Sequence, residues 1–340
     1  MYRVSNAKVL VCAALACVGV VAIALTQKAP SATSHTSTCS NPTCAWWCTS
    51  PNKGLTSIVI FGLDVVQHQA DELQRVLLAK GHTVTVARTL DALDVSKTST
   101  LYILLMPHLV RHFPTHFILY QTVLWSELWS GLPWGSVQGS NETSDFRQVL
   151  HASMEAWDFT KWNIEHYSEN GKSVVKHVPF VWFPYESAAS TLLRDIDVMF
   201  CGDAIGNKQQ LKTLAQLGVN ITIARPTLTN QDIDALFLRS KIVLNLQQGD
   251  GLLEATRTMH ALSLQTMVIS EPAMDPKLQE DLSHAVVFAS SMFSLSNTIS
   301  YFLQHEADRL KSTENAYAFA KERLNAEFFL SQTCVTEFMA

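Results

Sequence analysis

The residues of this chain best suited to chemistry lie between Asp195 and Pro272, where short apolar runs end in small and polar residues. The run DIDVMF ends in Cys201-Gly202-Asp203, and a second run, Ile242 to Leu246, ends in a polar turn holding Gly249 and Gly251. That turn opens onto a helical pattern with Glu254 in its first turn and Arg257 just beyond. A third apolar run, Met267 to Ser270, follows at once. Strand, turn, helix, strand is a βαβ unit, and its ligand side is where strand C-termini meet helix N-termini. Free backbone N–H groups at that edge attract a phosphate. A carboxylate and a guanidinium beside such a turn suit recognition of a nucleotide with a sugar attached.

Simpler roles compete for the same residues. A carboxylate near a helix start, such as Glu254, is favoured by the helix dipole alone, and Arg257 lies at the right spacing to pair with it. Asp195-Ile-Asp197 matches the DxD of metal-dependent enzymes, but it precedes its strand instead of ending it, so no metal site is expected there. His108, His112 and His116 recur at four-residue steps, yet Pro107 and Pro114 oppose the continuous helix that would align them. They read as polar surface. No HExxH, GxSxG or P-loop motif is present, and no G-x-G-x-x-G follows the first strand, which weighs against protease, hydrolase, NTPase and dinucleotide-oxidoreductase functions.

The 340 residues suit two ordinary domains, since one domain takes about 100–200 residues. A hydrophobic content of 47% and a charged content of 16% are those of a globular chain. The net charge of −5, without any Lys/Arg-rich run, excludes a nucleic-acid footprint. Val9 to Leu25 is an unbroken apolar run with Arg3 and Lys8 before it. It exceeds the ~7–15 residues of a signal-peptide core and approaches the ~17–25 of a spanning helix. The expectation is a single-pass type II membrane protein of the Golgi or ER with its bulk in the lumen; the alternative is a cleaved signal peptide ending at Ala22-Ile23-Ala24 and a secreted product. Cys39, Cys44 and Cys48 cluster beyond this run without the C-x2-C spacing of a zinc site. Cys334 is left either free or paired with that cluster. Asn141 and Asn220 begin glycosylation sequons.

Residues 26–55 read as a stem rich in Ser, Thr and Pro. Strands are then expected at Ser57–Phe61, Thr83–Ala87, Thr100–Met106, Phe117–Val123, Val149–Met154 and Val174–Val178. Helices are expected at Ala70–Lys80, stopped by Gly81, and at Ile164–Asn170. Phe180–Ser190 reads as the crossing into a second α/β unit. Its strands are expected from Asp197, at Val219–Ala224, Lys241–Leu246, Met267–Ser270 and Ala285–Phe288, with a helical tail from Phe293 to Phe329. Alternation of this kind gives parallel, doubly wound sheets.

The segments YQTVLWSELW and AWDFTKWNIEHYSENG in the first half, with DIDVMFCGDAIGNKQQLKTLAQLG and SKIVLNLQQGDGLLEATRTMHALSLQTMVISEP in the second, resemble glycosyltransferases of the GT-B architecture, group 1-like or spore-maturation-type. The likeness spans about residues 117–290. It implies two facing Rossmann-like domains, 56–183 for the acceptor and 184–340 for a nucleotide-sugar donor, after a cytoplasmic tail (1–8), an anchor (9–25) and the stem. It further implies donor binding by Gly202, Asp203, Gln248, Gly249, Gly251, Glu254 and Arg257. In that set Glu254 resembles the carboxylate on the donor ribose, and the glycines resemble the turn at the diphosphate. The sequence departs from retaining members at Leu246, where they carry a glutamate. Expected partners are a nucleotide-sugar donor, a glycan, protein or lipid acceptor and the membrane, with no nucleic acid and no cofactor or required metal. A non-catalytic binding protein that keeps this scaffold is the alternative. An inverting transfer needs a base for the acceptor hydroxyl. The first-domain candidates are Glu127, Asp158 and Asp64, although Asp158 and Thr160 also read as caps of the next helix.

Overall fold

A run of apolar residues bounded by turn formers becomes a strand buried on both faces only when helices cover both sides of its sheet. The computed structural model follows that rule twice; it describes residues 54–122, 146–167, 175–185, 193–225, 228–247, 255–273 and 275–339. The first sheet contains β1 (Ser57–Phe61), β2 (Val84–Ala87), β3 (Thr100–Leu104), β4 (Phe117–Gln121), β5 (Glu155–Asp158) and β6 (Val175–His177), in the order β2-β1-β3-β4-β5-β6. The second contains β7 (Ile196–Phe200), β8 (Ile221–Ile223), β9 (Ser240–Asn245), β10 (Met267–Ser270) and β11 (Val286–Phe288), in the order β11-β10-β9-β7-β8. Every pairing in both sheets is parallel. Strand order reverses between β1 and β3 and again between β7 and β9. A crevice opens at the carboxyl edge of each such switch point.

Among the described residues the α-helices are α1 (Gln67–Ala79), α2 (Phe146–Ala152), α3 (Lys161–His166), α4 (Lys208–Gln216), α5 (Asn230–Arg239), α6 (Ala255–Ser263), α7 (Pro276–Leu282), α8 (Met292–Gln304), α9 (Glu306–Arg323), α10 (Ala326–Leu330) and α11 (Val335–Phe338). Gly81, at φ +88°, ends the first of these in the left-handed conformation that the sequence expectation required. The strand expected at Val149–Met154 is instead the helix α2. Phe146, Val149 and Leu150 share one helical face, and the latter two are buried. The strand follows at Glu155–Asp158, whose four residues are all buried although two are acidic. Hydrophobic patterning does not reveal a strand with carboxylates at both ends.

The chain returns to the first domain at its end. Trp182 N–H donates to the Leu324 carbonyl at 2.7 Å, and Lys176 Nζ donates to the Gln332 carbonyl at 2.9 Å. Buried Glu155 accepts from Cys334 N at 3.1 Å and pairs with Lys176 at 2.7 Å. Cys334 is disulfide-bonded, and Cys201 takes part in no disulfide.

The membrane topology requires correction. Among the described residues no helix is long and apolar enough to cross a membrane, so the expected type II, Golgi or ER placement has no structural support. The run Val9–Leu25, the stem cysteines and the Asn141 sequon lie outside the described residues.

Tyr120, fully buried on β4, ties three segments together. Its hydroxyl accepts from Gln69 Nε2 at 3.0 Å and donates to the Val178 carbonyl at 2.8 Å, while Gln69 Oε1 accepts from Val181 N at 2.9 Å. Tyr120→Phe leaves a buried donor and a buried acceptor unpaired. It is expected to cost about 1–3 kcal/mol, measured as a lowered midpoint in chemical denaturation.

Candidate functional site

The carboxyl edge of the second sheet is built around Arg257. This residue lies on α6, and its guanidinium reaches over the ends of β7 and β9. Its Nη1 donates to Asn245 Oδ1 at 3.2 Å, and its Cζ stands 5.8 Å from the centre of the Phe200 ring. Asn245 in turn donates to Ser270 Oγ at 3.0 Å, so the ends of β9 and β10 share one polar network. Gly202 leaves the space this requires. A Cβ at that position would stand 2.9 Å from Arg257 Nη2 and 3.0 Å from the Phe200 ring. Asp203 is exposed and shapes the turn into α4, with Oδ1 accepting from Ile205 N at 2.9 Å. Gly202, Asp203 and Arg257 thus gather at one edge, beside the β7/β9 switch point.

A cleft of about 200 Å³ runs between this edge and the first domain. Val66, His68 and Gln69, which follow β1, line one side; Cys201, Asn230, Arg257 and His260 line the other. Asn230 Nδ2 crosses its mouth, donating to the Asp64 carbonyl and to Gln67 Oε1, both at 2.9 Å. Phe180 and Met259 line this cleft and also a second one of about 430 Å³ on the α3–α7 side. Deep in the smaller cleft, His68, Asp234 and His260 come together from α1, α5 and α6. Their nearest ligand atoms lie within 4.8 Å of one another. Burial opposes the charge of Asp234, yet the imidazoles of His260 and His68 hold its carboxyl well below the usual carboxylate range. Burial also lowers the pKa of the His260 imidazole. Sequence patterning does not find this cluster, because its members are far apart in the chain and share no motif.

The remaining expected site residues fall elsewhere. Glu127, Gln248, Gly249, Gly251 and Glu254 lie outside the described residues. Asp158 ends β5 with no solvent exposure, and its carboxyl accepts from Thr160 N at 2.9 Å, Tyr167 Oη at 2.5 Å and Asn163 Nδ2 at 3.1 Å. Thr160 caps α3, accepting from Trp162 N at 3.0 Å. Asp158 therefore shapes the entry to that helix, enclosed by its donors and away from the lining of either cleft. Leu246 is fully buried in the core of the second domain, so this position presents no polar group. Asp195 and Asp197 stand at the amino end of the second sheet, paired with Arg239 at 2.5 Å and Lys241 at 2.6 Å. Both carboxylates of the DxD are thus engaged with cations of their own, on the edge opposite the cleft. His116 Nδ1 bonds with the Thr98 carbonyl at 3.0 Å, and burial lowers the pKa of His108 to about 4.

Residues 193–333 match a family model described as glycosyl transferase-like. The matched segment contains the Arg257 edge. No curated protein sequence matches the chain. The fold is similar to that of T4 phage BGT in complex with UDP-glucose, at 9% identity, covering 83% of this chain and 97% of that one with a TM-score of 0.48. It is also similar to WaaG, a glycosyltransferase involved in lipopolysaccharide biosynthesis, at 11% identity, 82% and 99% coverage and a TM-score of 0.49.

Burial drives the pKa of Asp158 up to about 8, against the bonds from Tyr167, Thr160 and Asn163 that favour its charged form. A carboxyl raised in the folded state contributes its full stability below the unfolded value of about 3.9 and loses it as pH rises through the folded value. Stability of the native chain should therefore decline between about pH 4 and pH 8, by at most about 1.4 kcal/mol per pH unit from this group. In Asp158→Asn this component should vanish. Denaturation midpoints of the two proteins across that range provide the check; parallel curves would refute the assignment.

Proposed function

We propose that the protein is a GT-B glycosyltransferase. It moves a sugar from a nucleotide-sugar donor to an acceptor hydroxyl on a glycan, protein or lipid. The observation that carries this reading is Arg257. It is held by Asn245 and seated over Gly202 at the carboxyl edge of a parallel switch point, within the glycosyl transferase-like segment. As the bond from the sugar C1 to the diphosphate oxygen breaks, negative charge builds on the leaving phosphate. A fixed guanidinium there stabilises that charge more than it stabilises the intact donor. The turn Gln248–Gly251 and the start of α6 would add backbone N–H groups to the same phosphate, and Glu254 would hold the ribose hydroxyls.

The acceptor would approach from the first domain, where Asp64 is exposed at the cleft mouth. Glu127 remains a proposed base. The cleft that Arg257 lines has a volume of about 200 Å³. Charge neutralisation by Arg257 and helix N–H groups makes no demand for a metal at the diphosphate.

The test is direct binding and donor hydrolysis with the full chain and a panel of nucleotide sugars. One donor class should bind saturably and turn over slowly in water. Arg257→Ala should weaken that binding by about 10–100-fold, the loss of one or two charge-assisted hydrogen bonds. Gly202→Ala should also weaken it, by displacing the guanidinium, with some loss of thermal stability because the added methyl also presses on the buried Phe200 ring. Absence of binding to every donor would overturn the transferase reading. Binding without transfer or hydrolysis would favour a non-catalytic partner on the same scaffold, an outcome consistent with the apolar Leu246.

A further inference from the structure

We propose that His68, Asp234 and His260 form a zinc-type divalent cation site that clamps the two domains together. His68 comes from the first domain, and Asp234 and His260 come from the second. Among the described residues, His68 Nε2 is buried without a hydrogen-bond partner, 3.6 Å from Asp234 Oδ1. His260 Nε2 contacts the same Oδ1 atom. One carboxylate oxygen thus faces two imidazole nitrogens, and the His68 nitrogen lies buried just beyond hydrogen-bond distance of it.

The geometry suits a cation. Zinc holds imidazole nitrogen and carboxylate oxygen at about 2.0–2.2 Å in a tetrahedral arrangement, which places neighbouring ligand atoms about 3.4 Å apart. The His68–Asp234 separation of 3.6 Å already meets that spacing. His260 need only withdraw from its direct contact with Asp234 for a cation to enter between them. All three side chains project from helices, which hold ligands more firmly than loops. The ring of His68 is stacked on Phe183 at 4.5 Å and 9°, and it stands 4.2 Å from the ring of His260. Two imidazoles with a single carboxylate favour zinc, cobalt or nickel over magnesium or calcium, which take all-oxygen sets. The fourth coordination position would face the cleft that His68 and His260 line.

The site does not depend on the transferase reading, because its readout is metal binding. The full chain, stripped with a chelator and titrated with zinc, should bind one zinc more tightly than any other and show a higher thermal midpoint when loaded. His68→Ala removes a side chain that is 24% exposed, so folding should survive, as checked by circular dichroism. It should weaken the tight binding by more than about 100-fold. His68→Gln repeats the test with a closer fit in volume. Asp195→Asn, at the far end of the second sheet, should leave the binding unchanged. Cobalt(II) in place of zinc should give tetrahedral absorption bands that His68→Ala abolishes. No saturable zinc binding by the native chain, or equal binding by both His68 variants, would overturn the proposal.

Discussion

The carboxylate of Asp275 governs how the two halves of the molecule meet. It is buried, and each of its oxygens serves a different helix. Oδ1 accepts from Lys277 N at 3.0 Å and Leu278 N at 3.1 Å, capping α7 of the second domain. Oδ2 accepts from Thr160 Oγ1 at 2.6 Å and from Trp162 N at 3.3 Å, at the start of α3 in the first. Two helix N-termini, each carrying partial positive charge, are thus drawn to a single negative group. Lys161–Asp281 at 2.6 Å and Lys277–Glu165 reinforce the contact from solvent. Exposed pairs of that kind add little stability; the shared buried carboxylate is the specific element.

With the α3–α7 contact set, the relation of the two sheets follows. Each parallel sheet opens its crevice at a carboxyl edge, and the edges are brought to opposite sides of one cleft. Phe183 N–H donates to Ser263 Oγ at 3.1 Å, and Phe180 and Met259 fill the space between the two openings. The polar groups that remain in the smaller opening are therefore concentrated: Arg257 on one wall, and the His68–Asp234–His260 cluster across the seam. Leaving such groups in a dry interface is costly unless each finds a partner. Asn245 supplies one for Arg257, whereas His68 Nε2 makes no hydrogen bond among the described residues.

Reading the chain by hydrophobic period succeeded where both faces of a strand are apolar. Ser57–Phe61 and Met267–Ser270 have the same bounds in sequence and structure. It failed at Val149–Met154, where a short helix with Val149 and Leu150 side by side imitates a strand, and the next strand, EAWD, hides behind two carboxylates. Those carboxylates are tolerated because other parts of the chain satisfy them. Glu155 is met by Cys334 N–H and Lys176, and Asp158 by Tyr167, Asn163 and the Thr160 amide. Partners so remote in sequence leave no local signature.

The sequence alone determined the alternation of strands and helices, and with it two parallel sheets and the edge where Gly202, Asp203 and Arg257 collect. These depend on local periodicity and on the handed crossover between successive parallel strands, both written in neighbouring residues. Tertiary structure decided which polar residues face the cleft. Asp158 turned inward to organise a helix, the DxD aspartates paired at the opposite end of their sheet, and three unremarked residues on separate helices became neighbours across the domain seam. Those outcomes follow from how two folded units pack against each other. Packing of that kind is fixed by the burial and partnering of distant side chains, which no window of sequence contains.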